Sequence, residues 1–68
     1  MPMIEVDHVG RVAVVTLDDP ERRNTLSLDL STELAATVER LESDDGTGAI
    51  VLTGRAPAFC AGADLSQL

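Results

Sequence analysis

The run Ala49-Ile50-Val51-Leu52-Thr53 shows no polar alternation, a pattern that suits a strand covered on both faces rather than a half-solvated one. A strand of that kind constrains everything around it, because each face needs an apolar partner. Gly54 to Pro57 follows as a turn, glycine and proline being the strongest local punctuation in a chain. Upstream, the pattern supplies two further strands and one helix.

Ile4 and Val6 alternate with Glu5 and Asp7, which predicts a short half-buried strand. Arg11 to Leu17, with Val12, Val14, Val15 and Leu17, predicts a second and more buried one. Gly10 at their junction supplies the bend of a hairpin. Asp18-Asp19-Pro20 ends the pairing, because proline lacks a backbone donor and holds the residue before it extended. From Leu28 onward, Leu30, Leu34, Val38 and Leu41 fall on one helical face, with Glu33, Glu39, Arg40 and Glu42 largely elsewhere. Ser27 is placed to cap this helix, and Asp29 and Glu33 sit early, where the positive end of the dipole favours acids. Ser43-Asp44-Asp45-Gly46 stops it, since acids oppose the negative end and Gly46 can take a left-handed turn. Strand, helix and strand in that order predict a right-handed crossover pairing Arg11 to Leu17 in parallel with Ala49 to Thr53, with the apolar helix face packed on the sheet. The expected fold class is α/β in ββαβ order, without repeat, low-complexity tract or linker.

At 68 residues the chain is at most one domain, and domains this small bury only about 60% of the surface their unfolded chains expose. Such chains usually need staples. One cysteine makes no internal disulfide, no cysteine and histidine cluster offers a metal site, and one phenylalanine is the whole aromatic content. The expectation is a core completed by other residues or other chains. A formal net charge of −7, with five arginines and no lysine, argues against a nucleic-acid partner. The opening MPMIEVDHVG has neither the basic start nor the continuous apolar core of a signal peptide, and no apolar run approaches a membrane span. A cytoplasmic protein is expected.

Phe59-Cys60-Ala61-Gly62-Ala63-Asp64-Leu65 follows the apolar run through the glycine and proline turn. A buried strand, a bend of small residues and a helix start would aim backbone N–H groups at one point. In that context the segment closely resembles the oxyanion-hole segment of the crotonase superfamily, the enoyl-CoA hydratases and isomerases. Asp19-Pro20-Glu21-Arg22-Arg23-Asn24-Thr25-Leu26 is similar to that family's run of proline, three residues, asparagine, a small residue and leucine. The spacing between the two segments also resembles the family's. The resemblance covers nearly the whole chain but only the front of a family member, and so implies that residues 1–68 are the N-terminal part of a single crotonase-like domain. The ββαβ order matches the repeating unit of the crotonase spiral (ClpP/crotonase) fold. An acyl-CoA-processing hydratase or isomerase that stabilises a thioester enolate is implied. Coenzyme A enters only as part of the acyl-CoA substrate, with no separate cofactor and no metal. The complete enzyme is expected to be a homotrimer or hexamer.

Polarising a thioester means stabilising negative charge that grows on its carbonyl oxygen, and a preorganised backbone N–H does this without a reactive side chain. By the family pattern Ala63 donates one of two oxyanion-hole hydrogen bonds, and Ala61, Gly62, Ala63, Asp64 and Leu65 line the substrate. Gly62 would suit a dihedral closed to other residues. The plain alternative is an ordinary strand-to-helix turn. Arg22 and Arg23 border the stretch that, by the resemblance, passes the nucleotide end of coenzyme A, and they are read either as phosphate contacts or as solvated turn residues. Asp64 is read as capping a helix start rather than as a general base. The family's acid/base carboxylates and second donor are expected beyond Leu68. Cys60 reads as a small buried filler and His8 as a solvated residue of the hairpin bend, with nothing to support a Cys60–His8 nucleophilic pair. Ser66 stands where many relatives carry a basic residue, which weakens a phosphate contact at that end. Neither GxGxxG after a strand nor GxxxxGK followed by Ser or Thr occurs. The rival reading is a short non-catalytic acidic ββαβ module that binds a protein partner through its helix or an open sheet edge.

Overall fold

A computed structural model describes residues 3–63 and residue 66. The elements run β1 (Ile4–Val9), β2 (Val12–Leu17), a 3-10 turn (Pro20–Arg22), α1 (Leu28–Glu42) and β3 (Ala49–Gly54). They form one three-stranded sheet in the order β1-β2-β3. β1 pairs antiparallel with β2, from Ile4 opposite Leu17 to Val9 opposite Val12. Gly10 takes φ +59° in the two-residue turn that closes this hairpin, a conformation glycine reaches without steric cost. β2 pairs in parallel with β3, from Val12 opposite Ala49 to Leu17 opposite Gly54. The predicted crossover pairing is therefore present, with the second strand beginning one residue later than expected.

β2 is the central strand, and its alternate residues Ala13, Val15 and Leu17 are buried. Together with Ile4 of β1 and Leu30 and Leu41 of α1 they make the core, with Met3, Val6, Leu34 and Cys60 packed at its margin. α1 starts as expected: the Ser27 hydroxyl accepts from the Leu30 N–H at 3.1 Å. Its buried face lies slightly to one side of the predicted stripe, because Thr37 is buried and Val38 only half-buried. Thr37 tolerates the apolar side because its hydroxyl donates to the Glu33 carbonyl at 2.8 Å. The helix end also differs from the expectation. Gly46 does not take a positive φ; among the described glycines Gly10 and Gly62 do. The chain turns instead on Asp44, whose carboxylate accepts from the Gly46 N–H at 3.0 Å and the Thr47 hydroxyl at 2.9 Å.

β3 departs most from its reading. Ile50, Val51 and Leu52 are all exposed, at 38%, 47% and 44%, so the apolar run is not covered on both faces by the described residues. Geometry explains this. A helix about 10–12 Å across covers roughly two strands spaced about 4.8 Å apart, and the buried cluster joins α1 to β1 and β2, leaving β3 outside.

Candidate functional site

β2 and β3 end side by side at Leu17 and Gly54, and the chain leaving each strand builds one wall of the same loop pair. Arg55 N–H donates to the Leu17 carbonyl at 2.8 Å, which starts the second loop directly over the end of the first strand. Gly54 is needed there: a Cβ would fall on the Phe59 carbonyl and lie 2.6 Å from its Cα. The 55–59 loop can fold back this closely only because that position has no side chain. Outside the loop, the Arg55 guanidinium is paired with Asp18 at 2.9 Å and with Glu5. These exposed bonds, the one to Glu5 first, hold its pKa above the usual arginine range.

The other wall is the turn after β2. Arg23 and Asn24 take successive left-handed conformations, φ +54° and +57°, which asparagine tolerates better than most residues. Asn24 N–H donates to the Asp19 carbonyl at 2.9 Å, and Asp19 N–H donates back to Asn24 Oδ1 at 2.7 Å. The Asn24 side chain is fully buried, and its Nδ2 lies 3.2, 2.8 and 3.1 Å from the carbonyls of Arg55, Ala58 and Phe59. With two protons for three acceptors, one proton is shared. Asp19 Oδ2 is buried without a partner among the described residues, a cost of about 1–3 kcal/mol that the surrounding bonds must offset.

Between these walls the predicted site segment runs beside the turn. Ala61 N–H donates to the Arg23 carbonyl at 3.0 Å, Leu26 N–H donates to the Gly62 carbonyl at 2.8 Å, and Leu26 and Ala63 form a parallel bridge. In such a ladder the residue at the bridge centre turns its own N–H and C=O away from its partner. Accordingly the Ala63 N–H has no acceptor among the described residues, and Ala63 is exposed. Gly62 takes φ +103°, closed to residues with a Cβ, as it directs its carbonyl to Leu26.

Ala61, Gly62 and Ala63 are thus brought against residues 23–26, while Asp64 and Leu65 lie outside the described residues. Arg22 and Arg23 are exposed on the turn. Their backbone carbonyls work within the site, Arg23 accepting from Ala61 and Arg22 from Thr25. Cys60 is half-buried and packs against the core, the filler position expected of it. His8 is not in the bend, because the turn takes only two residues. It pairs with Ala13 in β1, and its Nε2 lies 3.4 Å from the Thr47 hydroxyl and 3.8 Å from Asp44 Oδ2. The Cys60–His8 pair is therefore not assembled. Asn24 is the residue whose role the sequence reading missed, although it is the asparagine of the run that carries the family resemblance; an asparagine between a tight turn and a helix cap is also a candidate for left-handed backbone. Among the described residues no group of three His, Cys, Asp or Glu side chains could hold a metal ion. No helix among them is long and apolar enough to cross a membrane.

Residues 7–68 match the family model for enoyl-CoA hydratase/isomerase. The chain belongs to the enoyl-CoA hydratase/isomerase family. A Thermus thermophilus protein whose name places it among the enoyl-CoA hydratases is 53% identical over 66 residues, which are 97% of this chain and 26% of that protein. An Arthrobacter 4-chlorobenzoyl coenzyme A dehalogenase is 43% identical over 65 residues, 96% of this chain and 24% of the relative. The crystal structure of enoyl-CoA hydratase from Mycobacterium smegmatis superposes with a TM-score of 0.91 at 37% identity, covering 100% of this chain and 31% of that one. The ββαβ unit is thus part of the crotonase fold of these hydratases, and the chain spans about a quarter of the length of the curated relatives it matches.

Proposed function

We infer that this chain supplies one half of the oxyanion hole of an acyl-CoA-processing enzyme, a hydratase or isomerase, with the Ala63 N–H donating to the thioester carbonyl as an enolate-like intermediate forms. The observation that carries this reading is the Ala63 N–H, which the Leu26–Ala63 bridge leaves without an acceptor among the described residues, on an exposed residue that follows a left-handed Gly62. An amide so placed needs no reorganisation when charge develops on the carbonyl. Ala61 and Gly62 keep the approach open, Asp64 and Leu65 are among the substrate-binding residues that the family pattern implies, and Arg22 and Arg23 are the candidates for contact with the phosphates of coenzyme A. The second donor and the proton-transferring carboxylates belong to other residues of the complete enzyme. Coenzyme A is part of the substrate, no further cofactor takes part, and the complete protein is a cytoplasmic homotrimer or hexamer. The names of the relatives include both hydratases and a dehalogenase, so the thioester is the shared substrate feature. The rival of a non-catalytic module draws no support from relatives named as enzymes.

The decisive experiment is Ala63→Pro in the complete enzyme, assayed on a panel of enoyl-CoA thioesters after circular dichroism has established folding. Because the Ala63 N–H lies outside the ladder, proline deletes the donor without removing a ladder bond. Turnover should fall about 100- to 1000-fold, the usual cost of one oxyanion donor. Cys60→Ala should keep most of it. A fully active Ala63→Pro enzyme, or a folded but dead Cys60→Ala enzyme, would contradict the assignment.

A further inference from the structure

The loop that leads into the segment presenting Ala63 is gripped by one side chain. The 55–59 loop has no regular structure, and apart from the Arg55 bonds it is tied down by the Asn24 amide, which spans from Asp19 N–H on one side to the carbonyls of Arg55, Ala58 and Phe59 on the other. Residues 23 and 26 flank that clamp and carry the two ladder bonds, Arg23 to Ala61 and Leu26 to Gly62. The turn that grips the loop is therefore the turn that aligns the residues leading to Ala63.

We propose that Asn24 is a positioning residue of the reaction: its side chain sets the separation and tilt at which residues 61–63 lie beside residues 23–26, and so aims the Ala63 N–H. The proposal rests on the reading of Ala63 as an oxyanion donor. Chemistry restricts the position to asparagine. The side chain must offer a donor and an acceptor at short reach, on a backbone with φ +57°. Aspartate has no donor, serine is too short to span both walls, glutamine adds a methylene to a fully buried group, and glycine supplies the backbone alone. A displacement near 1 Å of an aligned group costs about 100-fold in rate, which is the sensitivity this clamp would control.

Two variants of the intact enzyme test it. Asn24→Gly keeps the left-handed backbone and removes the clamp. Asn24→Asp keeps the shape and the acceptor for Asp19 N–H but turns a second oxygen toward three carbonyls. The probe is crotonyl-CoA labelled with carbon-13 at the thioester carbonyl, followed by steady-state kinetics and by infrared difference spectra of the bound carbonyl. In both variants kcat falls about 100-fold while KM stays within about threefold, and the shift of the bound carbonyl to lower frequency shrinks. Parental kcat and carbonyl shift in either folded variant overturn the proposal. So does a loss seen only in melting temperature or only in KM, since that is what a purely structural or uniform-binding role would move. If Asn24→Gly does not fold, Asn24→Asp, which conserves side-chain volume and one bond, decides alone. Failure of the underlying reading is distinguishable, because Ala63→Pro would then keep the parental turnover and the parental carbonyl shift on binding crotonyl-CoA.

Discussion

Gly54 and Gly62 serve different needs that the sequence cannot separate. Gly62 is required for its dihedral, with open space where a Cβ would stand, whereas Gly54 has an ordinary φ but lies against the Phe59 backbone. Gly54→Ala therefore has to displace main chain, and overpacking of this kind costs about 1–3 kcal/mol. The urea midpoint of the intact protein should fall accordingly; an unchanged midpoint would mean the 55–59 loop does not close on the strand end as described. Asp44 gives a pH-dependent prediction. Its carboxylate accepts from the Gly46 N–H and then the Thr47 hydroxyl, which lowers its pKa below 3.8. A carboxyl whose folded pKa is depressed contributes stability above its unfolded value and loses it as pH falls through the folded one. Asp44→Asn should thus be less stable than the parent near neutrality, with the difference closing as pH drops below 3.8. Denaturation midpoints across that range check this, and a difference that does not change with pH would remove the carboxylate from the account.

α1 depends on both its cap and its buried stripe. Ser27→Ala removes the acceptor for Leu30 N–H at a buried helix start, a loss of about 0.5–2 kcal/mol. The stripe on the core side, with Leu30, Thr37 and Leu41 buried and Leu34 at the core's margin, predicts unequal effects for two residues the sequence reading treated alike. Leu41→Ala should cost about 2–5 kcal/mol as a core truncation. Val38→Ala should cost clearly less, because Val38 is half-buried and outside the core cluster. Unfolding curves of the two variants side by side would expose an error in the helix rotation if they came out equal.

β3 sets the behaviour of the chain taken by itself. Ile50, Val51 and Leu52 expose apolar surface in a strand whose only partner among the described residues is β2, and the core holds six buried apolar residues among those described, too few to offset the chain's conformational entropy comfortably. Residues 1–68 alone should lack a cooperative unfolding transition as a monomer and should not hydrate or isomerise crotonyl-CoA, because an amide donor cannot transfer a proton. Circular dichroism melts and a crotonyl-CoA assay on the isolated peptide test both halves. A sharp monomeric transition would favour a self-sufficient module, and measurable turnover would mean the proton-transferring groups lie within these residues.

What the sequence determined by itself was whatever depends on local periodicity and local chemistry. Alternation at Ile4 and Val6 marked β1, the strand-helix-strand order marked the parallel pairing, Ser27 marked the helix start, and the two motif segments marked the family. What it left open depends on distance between residues far apart in the chain. Thr37 rather than Val38 faces the core because helix rotation is settled by packing against β1 and β2, and β3 is open because one helix is only about two strands wide. The bonds from Asn24 cross more than thirty residues, to Arg55, Ala58 and Phe59. No periodicity encodes such a contact, since it exists only once β2 and β3 have been laid side by side and their trailing loops share one space.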